Sequence, residues 1–175
     1  MQRLRIAVAV AATAMWIGVG TAGAAGSGGG RFLRPNAAGG VSGGAGHVLK
    51  GPGGGAAVSG RTFGSDSEGN VVGGSGGAFK LPSSTQGARA GGFKRSEDGS
   101  IQRQGGFAVS GSRGAMTSSG EFSGDAAGNA SGSRSTSATS NSGATYEGST
   151  SYSKDTGVVH SGTCANASGE VVSCK

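Results

Sequence analysis

From about Ala57 to the C-terminus, apolar residues never run together for long; they alternate with small or polar ones. Between Ser100 and Ser110, Ile101, Arg103, Gly105, Phe107 and Val109 share one face. Between Ala115 and Ser123, Met116 and Phe122 do the same, with Ser118 and Gly120 between them. A period of two is the signature of a half-covered β-strand, because successive side chains point to opposite sides of the backbone. Between these segments lie short polar clusters ending in glycine, such as Asp66-Ser67-Glu68-Gly69, Ser96-Glu97-Asp98-Gly99, Asp125-Ala126-Ala127-Gly128 and Asn166-Ala167-Ser168-Gly169. Their chemistry is that of a type I turn followed by a left-handed residue. An Asp, Asn or Ser oxygen accepts a backbone N–H two residues on, and glycine takes positive φ without steric cost.

The turn glycines keep a regular spacing. Gly69 to Gly99 is 30 positions, Gly99 to Gly128 is 29 and Gly128 to Gly157 is 29, with Gly114 and Gly143 near the midpoints of the last two intervals and Gly169 closing the series. The unit is therefore fourteen or fifteen residues. Phe63, Phe93 and Phe122 each lie six positions before Gly69, Gly99 and Gly128, a coincidence of offset that glycine abundance alone does not produce. A second glycine recurs mid-unit, at Gly105, Gly120, Gly132, Gly148 and Gly162. If it lies within a strand, residues 57–175 form an all-β antiparallel meander of eight or nine strands; if it marks another turn, each unit is one short rung of a β-solenoid.

The N-terminal third has a different texture. Arg3 and Arg5 precede an apolar stretch from Ile6 to Gly20, too short to be a comfortable bilayer span, and Ala22 and Ala24 supply the small residues that signal peptidase accepts. Residues 1–24 read as a secretory signal peptide cleaved after Ala24, with no transmembrane segment left after cleavage. The alternative is a retained anchor helix. Residues 25–56, with Gly28-Gly29-Gly30, Gly53-Gly54-Gly55, Pro35 and Pro52 and no sustained period, read as a disordered linker.

Composition limits what the strand region can be. Forty of 175 residues are glycine, 5% are aromatic, and the single tryptophan, Trp16, lies in the signal region. Glycine loses the most backbone entropy on ordering and brings no side chain to bury, so a conventional core is not expected. Order has to come from backbone pairing or from assembly with other chains. Of the 15 basic residues, Arg3 and Arg5 leave with the signal peptide, so 13 remain against nine acidic ones, a formal charge of +4. Only Lys94-Arg95 are adjacent, so the linear sequence holds no cluster of the nucleic-acid kind.

Cys164 and Cys174 are placed symmetrically about Gly169. A turn at Asn166–Gly169 brings strands Val158–Ala165 and Glu170–Cys174 together, with the two cysteines facing across the ladder, and the oxidising compartment implied by a signal peptide favours a disulfide. The enclosed loop is short, so its stabilisation is about 2–3 kcal/mol at most. Free thiols or a redox pair are the alternatives, and the spacing lacks the Cys-x-x-Cys arrangement.

Catalytic chemistry has little to work with. His47 lies in the linker stretch and His160 beside Cys164, whose thiol a disulfide consumes. No phosphate-binding loop occurs, and four metal ligands cannot be assembled around His160; Asp66 with Glu68 offers at most weak cation contact. An outer-membrane barrel is disfavoured because segments such as Asn129–Ser140 are polar on both faces. No catalytic residue, cofactor or metal is expected.

The run Asp125-Ala-Ala-Gly-Asn-Ala-Ser-Gly-Ser-Arg-Ser, then Tyr146-Glu-Gly-Ser-Thr-Ser-Tyr, and the ending Thr156 to Cys174 resemble small exported glycine/serine-rich repeat proteins of Gram-negative bacteria. That resemblance implies export and repetition and lends no activity. A looser similarity to curli-type amyloid subunits rests on short glycine-rich repeats, without their regular Gln and Asn ladder positions.

The expectation is a structural or interaction protein of the periplasm or cell surface, whose edge strands pair with copies of itself or with envelope components. The competing expectation is a binding module for anionic polysaccharide or extracellular nucleic acid, without sequence specificity, using Arg103, Arg113 and Arg134.

Overall fold

The computed structural model describes residues 25–174, which form one open antiparallel sheet of eleven strands in which every neighbour in sequence is a neighbour in space. The strands are β1 (Gly26–Pro35), β2 (Val41–Lys50), β3 (Ala56–Ser65), β4 (Val71–Lys80), β5 (Gln86–Arg95), β6 (Ile101–Gly111), β7 (Gly114–Gly124), β8 (Ala130–Ser140), β9 (Thr145–Ser153), β10 (Gly157–Ala165) and the two-residue β11 (Val171–Val172). The signal peptide expected over residues 1–24, with cleavage after Ala24, lies outside the described residues.

The meander is produced by its turns. Eight of them are five-residue loops of one design, as in Asp66–Asn70, where Gly69 N–H donates to the Asp66 carbonyl and Asp66 N–H donates to the Asn70 carbonyl. The fourth residue of each takes positive φ. It is glycine at Gly39, Gly54, Gly69, Gly99, Gly128, Gly143 and Gly169, and serine only at Ser84, with φ 64°. The other two hairpins are tighter and place Gly114 and Gly157 at positive φ. Where the first turn residue is Asp or Asn, its side chain also collects the loop's N–H groups: Asp66 Oδ1 accepts from Glu68 and Asn70, and Asn166 Oδ1 from Ser168 and Glu170. A loop with one geometry reverses each strand into register with the last.

The mid-unit glycines settle the choice between meander and solenoid. Gly105, Gly120, Gly132, Gly148 and Gly162 lie inside β6 to β10, where extended backbone continues through them, so no second turn forms. The sheet also reaches further back than the linker expectation allowed. Residues 26–50 form β1 and β2, paired from Gly26↔Lys50 to Pro35↔Val41. Polyglycine stretches carry no side-chain period, which hides them from pattern reading. β2 pairs along its length with β3, and the Asn36–Gly40 turn folds β1 back onto β2.

No hydrophobic side chain among the described residues is buried, and the sheet is a single layer. Its side-chain packing is lateral. Leu33, Gly43, Phe63, Gly73, Phe93, Arg103, Phe122, Gly132 and Tyr152 form one row across β1 to β9, in which bulky residues alternate with glycines except where Arg103 stands between Phe93 and Phe122. Rings lean over the gaps: a Cβ at Gly43 would stand 2.5 Å from the Phe63 ring, and one at Gly73 would collide with Phe93. Cross-strand covering of this kind is the sheet's substitute for a core. Phe93 is 39% exposed, so covering it contributes on the order of 2–3 kcal/mol as an upper bound.

The C-terminal hairpin differs in detail from its expectation. Cys164 pairs with Val172, and Cys174 comes back to it from beyond the ladder to close the disulfide, with Cα atoms 5.4 Å apart. β11 stops after two residues, so the cysteines are not directly opposed.

Candidate functional site

Strand parity sorts the side chains onto two unlike faces. One face holds Arg31, Arg61, Arg89, Arg95, Arg103 and Arg134 together with Phe63, Phe79, Phe93, Phe107, Phe122, Tyr146 and Tyr152. No carboxylate lies in any of its rows; the strand carboxylates Glu121 and Glu147 project from the opposite face. The opposite face is built from small residues. Its central row reads Gly30, Gly46, Gly60, Gly76, Ala90, Gly106, Ser119, Ser135, Ser149, Ser161 across ten strands.

On the arginine face the middle row dips. Ser75, Gly91, Gly105 and Gly120 are paired in register across β4 to β7 and form a floor of nearly bare backbone. Arg61 on β3 and Arg134 on β8 close its ends. Two residues along the strands to one side stand Arg89 and Phe107, and to the other Phe93, Arg103 and Phe122. The stretch from Ser75 to Arg134, lined by Arg89, Arg103, Phe107 and Phe122, is a shallow open trough of about 650 Å³, and Arg61 and Phe93 stand just outside it. From strand spacing the row runs about 24 Å from Arg61 to Arg134, and the trough's walls stand about 13 Å apart.

Arg134 is held in place. Its Nε donates to Ser118 Oγ at 2.7 Å, and its guanidinium carbon lies 5.7 Å from the centre of the Phe107 ring. Ser118, 4% exposed, is the one buried polar residue among those described. Its hydroxyl is fully used: it donates to the Ser135 carbonyl (2.9 Å) and accepts from Arg134 and from Thr136 Oγ1 (2.9 Å). The Arg134 guanidinium is thus fixed beside the Phe107 ring, at the trough's edge, by a satisfied hydrogen-bond network and a cation–π contact.

The acids gather elsewhere. Asp66, Glu68, Glu97, Asp98, Asp125 and Asp155, six of the nine, lie in or beside the turns at one end of the sheet, which joins β1 to β2, β3 to β4 and so on. Those turns are cross-linked: Ser67 N–H donates to the Ala38 carbonyl, and Glu97 N–H to Asn70 Oδ1. Side-chain hydrogen bonds from Asn70, Ser100 and Asn129 hold the Asp66, Asp98 and Asp125 carboxyls, respectively, below the usual carboxylate range. Asp66 and Glu68 both accept from Asn70 Nδ2, at 2.8 and 3.4 Å.

The residues singled out from sequence are brought together only in part. Arg103 and Arg134 line the trough, whereas Arg113 sits in the Ser112-Arg113 turn between β6 and β7, off either face. His160 lies in the trough row beyond Arg134, hydrogen-bonded to Thr150 Oγ1 (2.8 Å) and close to the Tyr146 hydroxyl (3.4 Å). Cys164 is consumed by the disulfide. Among the described residues no metal-ligand cluster forms, and no helix is long and apolar enough to cross a membrane. Arg61 and Arg89 were missed because each is isolated in the linear sequence. Counting each arginine's parity from its turn glycine would have put them on one side. No protein-family model, curated protein or solved structure matches the chain.

Proposed function

We propose that this is an exported structural protein of the periplasm or cell surface, which works by joining its sheet edge to edge with copies of itself. The single observation that carries this reading is a core-less sheet of ten full-length strands, both of whose outer edges are open among the described residues. β1 is paired on one side only. β10 is covered by β11 at Cys164 and Ala165 and open from Gly157 to Thr163. Unpaired N–H and C=O groups along such edges are templates for another strand.

The strand count supports a particular geometry. Ten alternating strands leave β10 running opposite to β1, so a second copy in the same orientation continues the antiparallel order and keeps each face on its own side. Joining is then head to tail and does not close on itself, which gives a ribbon. The device that would blunt β1 is modest: Arg31, Arg34 and a terminal Pro35. The Cys164–Cys174 disulfide suits the oxidising compartment that export implies.

The test is sedimentation velocity and electron microscopy of the processed protein across a wide concentration range, with far-UV circular dichroism. Concentration-dependent ribbons with a β spectrum are expected. Gly28→Lys with Gly30→Lys places charge on β1, where a Cβ meets nothing within 4 Å in the isolated chain, so the sheet should persist while assembly falls. A wild-type protein that keeps its β spectrum and stays monomeric at every concentration would overturn the reading.

A further inference from the structure

We infer that the trough on the arginine face is a binding site for single-stranded nucleic acid, recognised without regard to base sequence. The proposal concerns a face and not an edge, so it stands or falls independently of ribbon formation.

The charge pattern names a polyanion. Four arginines, Arg61, Arg89, Arg103 and Arg134, border one channel, and no carboxylate shares their face. The acids that lower the net charge of the chain sit in the end turns and on the far face, so the channel is far more positive than the whole molecule. Arginine is the side chain suited to this, because its fork of donors matches phosphate oxygens.

The walls and floor choose among polyanions. Sugar hydroxyls need a partner each, and the floor at Gly91, Gly105 and Gly120 offers none from side chains, while its backbone groups are engaged in the ladder. A nucleic acid asks for something different: a charged track for its backbone and flat apolar surfaces for its bases. Phe93, Phe107 and Phe122 stand beside the track, and Phe93 and Phe122 remain 39% and 37% exposed. Bare glycine backbone lets a flat group approach the sheet closely. A duplex keeps its bases stacked inside and would leave the rings without partners, so the strand has to be single. Anionic membranes fit less well, because Arg61, Arg89 and Arg134 lie along the middle of the face, between the row of Phe63, Phe93, Arg103 and Phe122 and that of Phe79 and Tyr146.

The experiment is fluorescence anisotropy of the processed full-length protein with a labelled oligothymidylate of about 16 nucleotides. The logarithm of the binding constant should fall with the logarithm of salt concentration with a slope near −2.8, about −0.7 for each engaged arginine. Arg89→Gln with Arg103→Gln should weaken binding at low salt by about tenfold or more and bring the slope to about −1.4. Lys50→Gln with Lys80→Gln removes the same charge from the opposite face and should change affinity less than about twofold. An abasic oligomer of equal length, read on the unaltered protein, should bind about tenfold or more weakly, since it keeps the phosphates and loses the stacking. Equal effects of the arginine and lysine pairs would overturn the site. Equal affinity for the abasic oligomer, or tighter binding of heparin or anionic phosphatidylglycerol vesicles than of oligothymidylate, would overturn the choice of nucleic acid.

Discussion

The two faces of this sheet share one backbone and one set of hydrogen bonds, yet they use glycine in opposite ways. On the arginine face, outside the bare floor of the trough, a glycine is a space for someone else's side chain: Gly43 lies under Phe63 and Leu33, Gly73 under Phe93 and Gly87 under Phe79. On the opposite face the glycines of the central row are mostly covered by nothing bulky. A Cβ at Gly46 or Gly60 would find only a neighbouring carbonyl, at 3.6 Å. The same residue type is therefore part of a packed unit on one side and an unfilled position on the other. In a sheet with no second layer, most of the ring-over-glycine packing lies on the arginine face; Phe32 over Gly44 is its counterpart on the other, which is otherwise held mainly by the ladder.

The most direct way to break that contrast is a matched pair of substitutions. Gly73→Val pushes the Phe93 ring off its seat and should cost about 1–3 kcal/mol. Gly60→Val, one strand away on the other face, gains β propensity in open space and should be neutral or stabilising by up to about 1 kcal/mol. Urea midpoints of the two variants measure the difference; equal losses would mean that ring-over-glycine packing contributes little.

A second, smaller effect separates both faces from the acidic end. The Asp66, Asp98 and Asp125 carboxyls are held low by hydrogen bonds from Asn70, Ser100 and Asn129. A depressed carboxylate pKa contributes stability that is complete above the unfolded value and is lost as pH falls through the folded one. Loosening of these turns is therefore expected below about pH 4, with no change between pH 5 and 8 from these groups. Amide exchange should show faster opening at Glu68, Asn70 and Asn129 in acid while mid-strand amides stay protected. Asp125→Asn keeps a hydrogen-bond acceptor without the charge and should flatten the response at its own turn.

The smallest effect expected is at Ser84, the one turn where a non-glycine residue takes positive φ. Ser84→Gly relieves about 1–2 kcal/mol of left-handed strain and gives back about 0.5–1 kcal/mol of entropy, a net gain of a few tenths. Gly99→Ala imposes the same strain in reverse at an open position, offset by the same entropy term, and should cost a few tenths to about 1 kcal/mol. Thermal midpoints of the two variants should move in opposite directions.

Much of the fold is written locally. Asp66, Asn166 and their counterparts announce turns because the whole interaction is completed within five residues. The alternation of Ile101 to Val109 announces a strand for the same reason, since a side chain's face depends only on its position along its own backbone. β1 and β2 were illegible because the glycines of residues 26–50 encode no face, and their pairing depends on β3 being present. The trough was illegible for a related reason. Arg61, Arg89, Arg103 and Arg134 are each separated by 14 or more residues, and Ser118 has nothing to mark it until Arg134 and Ser135 lie beside it.

Taken alone, the sequence determines, from about Ala57 onward, where this backbone extends and reverses, and for the whole strand region that no conventional interior forms, because each follows from short-range sterics and from how little apolar mass the chain carries. Tertiary structure decides that every reversal stacks in a single layer, that dispersed arginines meet over a glycine floor, and that β1 and β10 form the outer strands of the described sheet. Those outcomes depend on register between distant strands, and register is a property of the whole sheet.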